Sequence, residues 1–90
     1  LPEQDHVFSR DELRKAGYPD DKINSVYNIR YVTQTDNRTK LATPFSVWSD
    51  NLQDKEAVFK THFIPTGKDI NEFEAFILER KKMMLANFNY

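Results

Sequence analysis

Residues 11–29 read DELRKAGYPDDKINSVYNI, and the secondary structure of this stretch decides the fold. Its first half ends at Gly17, which can supply the left-handed residue that closes a helix. Pro19, followed by two aspartates, is typical of the first turn of a second helix. The residues after Ser25 are rich in Val, Ile, Tyr and Thr and alternate between apolar and polar side chains, as strands do. The stretch therefore predicts a short helical corner over 9–26 that leads into a strand.

The first helix of this corner has a recognisable start. Ser9, with Glu12 three residues later, forms a capping box, so we expect a helix over 10–16. The polar residues before it have no periodic pattern. We therefore assign 1–8 to a weakly docked N-terminal tail and 9–90 to a single small domain.

The middle of the chain favours two further strands. Alternating apolar residues predict a hairpin of 27–35 against 39–48, with a turn between them. Pro44 has no amide hydrogen to donate, so the second strand is expected to be an edge strand or to be broken there. The segment EAVFKTHFI, 56–64, predicts a third strand.

The C-terminal segment has the clearest pattern in the sequence. Asp69 is an expected N-cap, and the apolar residues after it recur at helical spacing. The stripe that should face the sheet comprises Ile70, Phe73, Phe76, Ile77, Met84 and Phe88. The predicted fold class is α+β: a three-stranded antiparallel sheet packed by a long C-terminal amphipathic helix, with the short N-terminal helical corner, in the order α-α-β-β-β-α.

Composition limits the class of protein. Ninety residues allow one core, and an aromatic content of 13% can supply its bulk. The formal net charge is −1 and there is no cysteine, so disulfides and thiolate chemistry are excluded. The sequence has no apolar run of bilayer length and no signal-peptide pattern, which predicts a soluble chain and no membrane contact while leaving the compartment open. Because it begins with Leu1, we expect a processed form or a fragment of a larger assembly.

Catalysis has little support in the sequence. His6 and His62 are the only histidines, and neither is accompanied by a nucleophile or an orienting partner at a recognisable spacing. We therefore expect a protein that is not an enzyme, with no cofactor and no metal site.

The C-terminal helix instead suggests an interaction module. Leu78 and Leu85 are seven residues apart and lie about 100° from the stripe, so they cannot join the same narrow seam. With Met83 beside them they are expected to form an exposed apolar ridge that a protein partner or a second copy covers. The leading hypothesis is a non-enzymatic protein-binding or assembly module.

Nucleic-acid binding is the alternative. The 9–30 region has the spacing of a helix-turn-helix, and either it or the sheet could present basic residues to phosphates. The candidate contacts are Lys22, Arg30, Arg38 and Lys40. The near-neutral charge and the two aspartates that begin the would-be recognition helix disfavour this hypothesis.

Overall fold

A computed structural model of the chain describes residues 2–33, 36, 40 and 42–87. In this part of the chain, the first half comprises strand β1 (Glu3–His6), helix α1 (Arg10–Lys15), helix α2 (Asp20–Ile23), a 3-10 turn (Val26–Asn28) and strand β2 (Ile29–Val32). The second half comprises helix α3 (Phe45–Asp50), helix α4 (Lys55–Thr61), a 3-10 turn (Ile70–Glu72) and helix α5 (Phe73–Asn87). The α+β class and the long C-terminal helix are confirmed.

The local signals of the helical corner are confirmed in detail. The Glu12 amide donates to Ser9 Oγ at 3.1 Å, and the Ser9 amide donates to Glu12 Oε2 at 2.8 Å, which completes the capping box. Gly17 has a φ of +91°, a left-handed conformation that a glycine adopts without steric cost. Asp69 accepts from the Asn71 amide at 2.9 Å and caps the segment that becomes α5.

The sheet differs from the prediction. In the described ranges it has two strands, β1 and β2, paired antiparallel with Asp5 opposite Arg30. The expectation of a tail over 1–8 is therefore wrong, because Glu3–His6 form a strand of the sheet. Asp5 and Arg30 are buried and bonded across the strands at 2.8 Å, so an ion pair takes the place of the apolar alternation that marks most strands.

The predicted strand over 39–48 is also corrected, because Phe45–Asp50 form helix α3. The start of that prediction lies partly outside the described residues. Pro44 sits at the N-cap position with a φ of −58°, which suits a helix start. Phe45 is buried and Trp48 packs against the core, a three-residue spacing, whereas Val47, placed inside by the strand pattern, is 49% exposed.

The predicted third strand over 56–64 is wrong for a similar reason. Lys55–Thr61 form helix α4, and the carboxylate of Asp54 accepts from the Ala57 amide at 3.1 Å to cap it. Phe59 is the buried residue of this helix. A helix with one buried position has too few apolar residues to display a helical period in its sequence.

The core is largely aromatic, as the composition predicts. Phe8 lies at its centre: its ring stacks on Phe45 with centroids 4.3 Å apart and meets Phe76 edge-on at 4.9 Å. The buried apolar cluster comprises Val7, Phe8, Leu13, Ile23, Phe45, Phe59, Ile64, Phe73 and Phe76. Val7 and Phe8 precede the helical corner, so the N-terminal segment is part of the core.

Asn28 joins the N-terminal segment to the rest of the core. Its side chain is fully buried and accepts from the Phe8 amide at 3.0 Å. The Asn28 Nδ2 group donates to the carbonyl oxygens of Phe8 at 3.1 Å and of Ile23 at 3.0 Å. One amide side chain therefore satisfies three buried backbone groups that no helix or strand bond reaches.

Replacing this amide should be strongly destabilising. In Asn28→Ala, three buried backbone groups lose their partner, and we expect the free energy of unfolding to fall by roughly 2 to 4 kcal/mol. The melting temperature, measured by circular dichroism, should drop by at least about 10 °C. The matched control is Asn51→Ala, since Asn51 is exposed and its side chain has one bond within the described ranges, to the Val47 carbonyl of the helix that it follows, at 2.8 Å. An Asn28→Ala protein as stable as Asn51→Ala would contradict this role.

Candidate protein-binding surface on helix α5

Helix α5 is held to the body of the protein by one face. Phe73, Phe76 and Arg80 are spaced three and four residues apart and are at most 2% exposed. The predicted stripe shares Phe73 and Phe76 with this face, but it also included Ile77 and Met84, which are half-buried. The centre of the buried face is therefore rotated by roughly 50° around the helix axis, toward Arg80. Phe88, the last residue of the predicted stripe, lies outside the described residues.

Arg80 is buried on the inner face of α5, where the apolar pattern of the sequence did not place it. Its guanidinium donates to the carbonyl oxygens of Tyr27 at 2.8 Å, Ile29 at 2.7 Å and His62 at 3.1 Å. Burial, with Arg30 nearby, lowers the pKa of Arg80 to about 10. These bonds join α5 to the start of β2 and to the end of α4, and they fix which face of α5 points outward.

Leu78 and Leu85 lie on that outward face. Their side chains are 59% and 57% exposed, and they are separated by about 20° around the helix axis. Met83 is half-buried and lies nearer to the inner face. We call the line formed by Leu78 and Leu85 the leucine ridge. An interaction surface must be accessible to a partner, and the exposed leucine ridge meets this requirement.

Two lysines border the leucine ridge. Lys81 and Lys82 lie about 50° to either side of it on the helix. Neither makes an ion pair within the described ranges, although Lys81 Nζ lies 5.9 Å from the centre of the Tyr27 ring. The acidic residues of α5 are engaged elsewhere: Glu74 pairs with Lys22 at 3.5 Å, and Glu79 pairs with Lys68 at 3.4 Å. The ridge is thus an apolar line between two cations that have no carboxylate partner among the described residues.

A shallow groove adjoins the N-terminal end of the ridge. It has a volume of about 310 Å³ and is lined by Asp21, Lys22, Ser25, Glu74, Ile77 and Leu78. Ile77 and Leu78 supply its apolar wall, and the Lys22–Glu74 ion pair borders it. The groove and the ridge share Leu78, so together they form a continuous surface along α5 and the helical corner.

A buried cluster of charged residues is centred on Asp5 in strand β1. Asp5 pairs with Arg30 at 2.8 Å and with Lys40 Nζ at 3.6 Å, and Lys40 also donates to the carbonyl oxygen of His6 at 2.6 Å. The Trp48 ring lies 4.5 Å from the Arg30 guanidinium and 5.3 Å from Lys40 Nζ. Burial lowers the pKa of Lys40, and the carboxylate of Asp5 acts in the opposite direction. One carboxylate and one aromatic face therefore stabilise two buried cations.

The residues named for nucleic-acid binding are not brought together on a surface. Arg30 and Lys40 are 6% and 1% exposed, so phosphates cannot reach them without opening the sheet. Lys22 is half-buried and paired with Glu74. Arg38 lies outside the described residues.

Three other residues with structural roles were missed in the sequence. Asp5 was assigned to a tail, Glu12 was recognised only as half of a capping box, and Asn28 was read as a polar strand position. Glu12 Oε2 also accepts from the Phe45 amide at 2.8 Å, which ties α1 to α3. The local sequence contains no signal for these roles, because each role depends on a partner at least 20 residues away: Arg30 for Asp5, Phe45 for Glu12 and Phe8 for Asn28.

The two histidines occupy different surroundings. The side chains of His6 and Asn24 are hydrogen-bonded at 2.9 Å, between His6 Nε2 and Asn24 Oδ1. His62 is half-buried at the end of α4, and desolvation together with Arg30 and Arg80 lowers its pKa. The two histidines therefore lie in different parts of the fold, His6 on β1 and His62 at the end of α4.

Comparisons with protein-family models, with curated proteins and with solved structures found no match. Among the helices that the structure describes, none combines the length and the apolar character needed to cross a bilayer. Function must therefore be argued from the surface of the molecule.

The buried cluster of Asp5, Arg30 and Lys40 predicts a specific effect on stability. In Asp5→Asn, Arg30 and Lys40 stay buried without their carboxylate, so we expect a loss of about 3 kcal/mol or more, measured by urea unfolding at neutral pH. Asp11→Asn is the matched control because it breaks only an exposed pair with Lys15, and it should cost about 1 kcal/mol or less. Equal stability of the two variants would show that the Asp5 cluster does not hold the sheet.

Proposed function

We propose that this domain is a protein-binding or assembly module whose contact surface is the leucine ridge. The observation that carries the proposal is the exposure of Leu78 and Leu85, 59% and 57%, on a helix whose opposite face is already packed. Exposed leucines at helical spacing are characteristic of surfaces that another protein covers. The adjoining groove offers a recess for a further apolar side chain of the partner.

The remaining exposed apolar residues support the choice of this surface. Within the described ranges, the other large apolar side chains that are exposed are Val26, Tyr31 and Val47. Tyr31 is on the sheet and Val47 is on α3, whereas the two leucines share one face of one helix. Single exposed apolar residues are ordinary on protein surfaces, and an aligned pair beside a groove is a better candidate for a contact.

The double substitution Leu78→Lys with Leu85→Lys tests the proposal. Because the leucines are more than half exposed, the melting temperature should remain within about 3 °C of the unchanged protein. Immobilised protein should lose the partners that the unchanged domain retains from an extract of its source cells, measured by quantitative mass spectrometry. The proposal requires at least one protein that the unchanged domain retains and the double variant does not.

The matched control is Tyr31→Lys with Val47→Lys, which places two lysines at exposed positions away from α5. It should retain the same proteins as the unchanged domain. Equal retention by all three forms would contradict the proposal. Unfolding of the Leu78→Lys, Leu85→Lys protein would place the leucines in the core and would also contradict it.

A further inference from the structure

We infer that the leucine ridge binds an acidic amphipathic helix, one that places carboxylates on both sides of its own apolar line. This inference rests on the proposed function, and it specifies the partner's chemistry. It is drawn from the charges that border the ridge rather than from the apolar residues themselves.

The acidic residues of α5 have partners elsewhere in the fold, whereas two of its lysines differ in this respect. The carboxylates of Glu74 and Glu79 are each within 3.5 Å of a lysine ammonium from another part of the fold. Lys81 and Lys82 have no carboxylate partner among the residues that the structure describes, and they lie on opposite sides of the two leucines. A partner helix seated on the ridge would therefore meet one cation along each of its edges.

A second copy of this chain does not fit that pattern. In an antiparallel pairing that sets Leu78 of one copy against Leu85 of the other, Lys81 of each copy lies opposite Lys81 of its neighbour, and Lys82 lies opposite Lys82. In a parallel pairing, Lys81 of each copy faces Lys82 of its neighbour. Like charges meet in both arrangements and oppose association. Carboxylates at those positions would reverse the sign of the interaction.

The geometry also limits the length of the contact. The two leucines are separated by seven residues, or about 10 Å along the helix axis. The groove extends the surface beyond Leu78 by the space of one large side chain. The matching segment is a helix of about three to four turns with apolar residues seven positions apart, which is a familiar mode of helix recognition.

Two synthetic helical peptides test the inference against the full 90-residue chain. Both carry leucines seven positions apart, and the positions that flank them are glutamate in one peptide and lysine in the other. In an NMR titration, the glutamate peptide should shift the amides around Leu78 and Leu85 and bind at least tenfold more tightly than the lysine peptide. The difference should shrink as salt is raised from about 0.05 M to about 0.5 M, because the Debye length shortens.

Variants of the protein separate the charge from the apolar contact. Lys81→Glu with Lys82→Glu should reverse the preference, so that the lysine peptide binds more tightly. The matched control is Arg10→Glu with Lys60→Glu, which changes the net charge equally at exposed positions on other helices and should leave the preference unchanged. Leu78→Lys with Leu85→Lys should abolish binding of the glutamate peptide.

The outcomes distinguish this inference from the proposed function. If the two peptides bind with equal affinity and the Leu78→Lys, Leu85→Lys protein binds neither, the inference of an acidic partner is overturned. The ridge would then remain a binding surface. Three other results would also overturn the inference: no binding of either peptide, dimerisation of the chain alone in sedimentation, or a DNA duplex that binds the same residues more tightly than the glutamate peptide.

Discussion

The fold depends on how the chain around Phe8 is enclosed. The Phe8 ring contacts Phe45, Phe73 and Phe76, so it touches α3 and the N-terminal part of the inner face of α5. Its backbone cannot pair within a helix or a strand, and the buried side chain of Asn28 binds both its amide and its carbonyl. Without that side chain, burial of the ring would leave two polar groups without partners, at a cost comparable to the benefit of burying the ring. The contact between Phe8 and Asn28 therefore lets an N-terminal segment serve as the centre of a small domain.

Charged residues join the elements of the fold where the small apolar core does not hold them together. Asp5 joins the two strands through Arg30 and also binds Lys40, while Glu12 ties α1 to α3 through the Phe45 amide. The Arg80 guanidinium ties α5 to the rest of the fold by donating to three carbonyl oxygens. Several cations of a nearly neutral chain are thus used inside the fold, where they cannot contact phosphates. The lysines beside the leucine ridge are different, because they lie on the surface next to exposed apolar side chains, and this is why we propose the ridge as the contact surface.

The parts of the fold that were predictable depend on local signals. The capping box at Ser9, the left-handed Gly17 and the cap at Asp69 involve residues at most three positions from their partners, and helical spacing alone placed Leu78 and Leu85 off the inner stripe. Strand β1 was missed because its polar sequence is stabilised by Arg30, 25 residues away. Helices α3 and α4 were taken for strands because seven residues or fewer contain too few buried positions to separate the two periods. Arg80 had a usable signal, since it follows Phe73 and Phe76 at helical spacing, but a charged residue is not expected on an inner face.

The central claim is that the segment around Phe8 is part of the most stable unit of the fold, and native-state hydrogen exchange tests it most directly. The Val7 amide donates to the Asn28 carbonyl at 2.8 Å, and the Phe8 amide donates to the Asn28 side chain at 3.0 Å. Both amides should exchange only through global unfolding, with the same opening free energy as the amide of Phe76 in the middle of the inner face of α5. Exchange of Val7 and Phe8 at the rate of a fraying terminus, while Phe76 stays protected, would contradict the account.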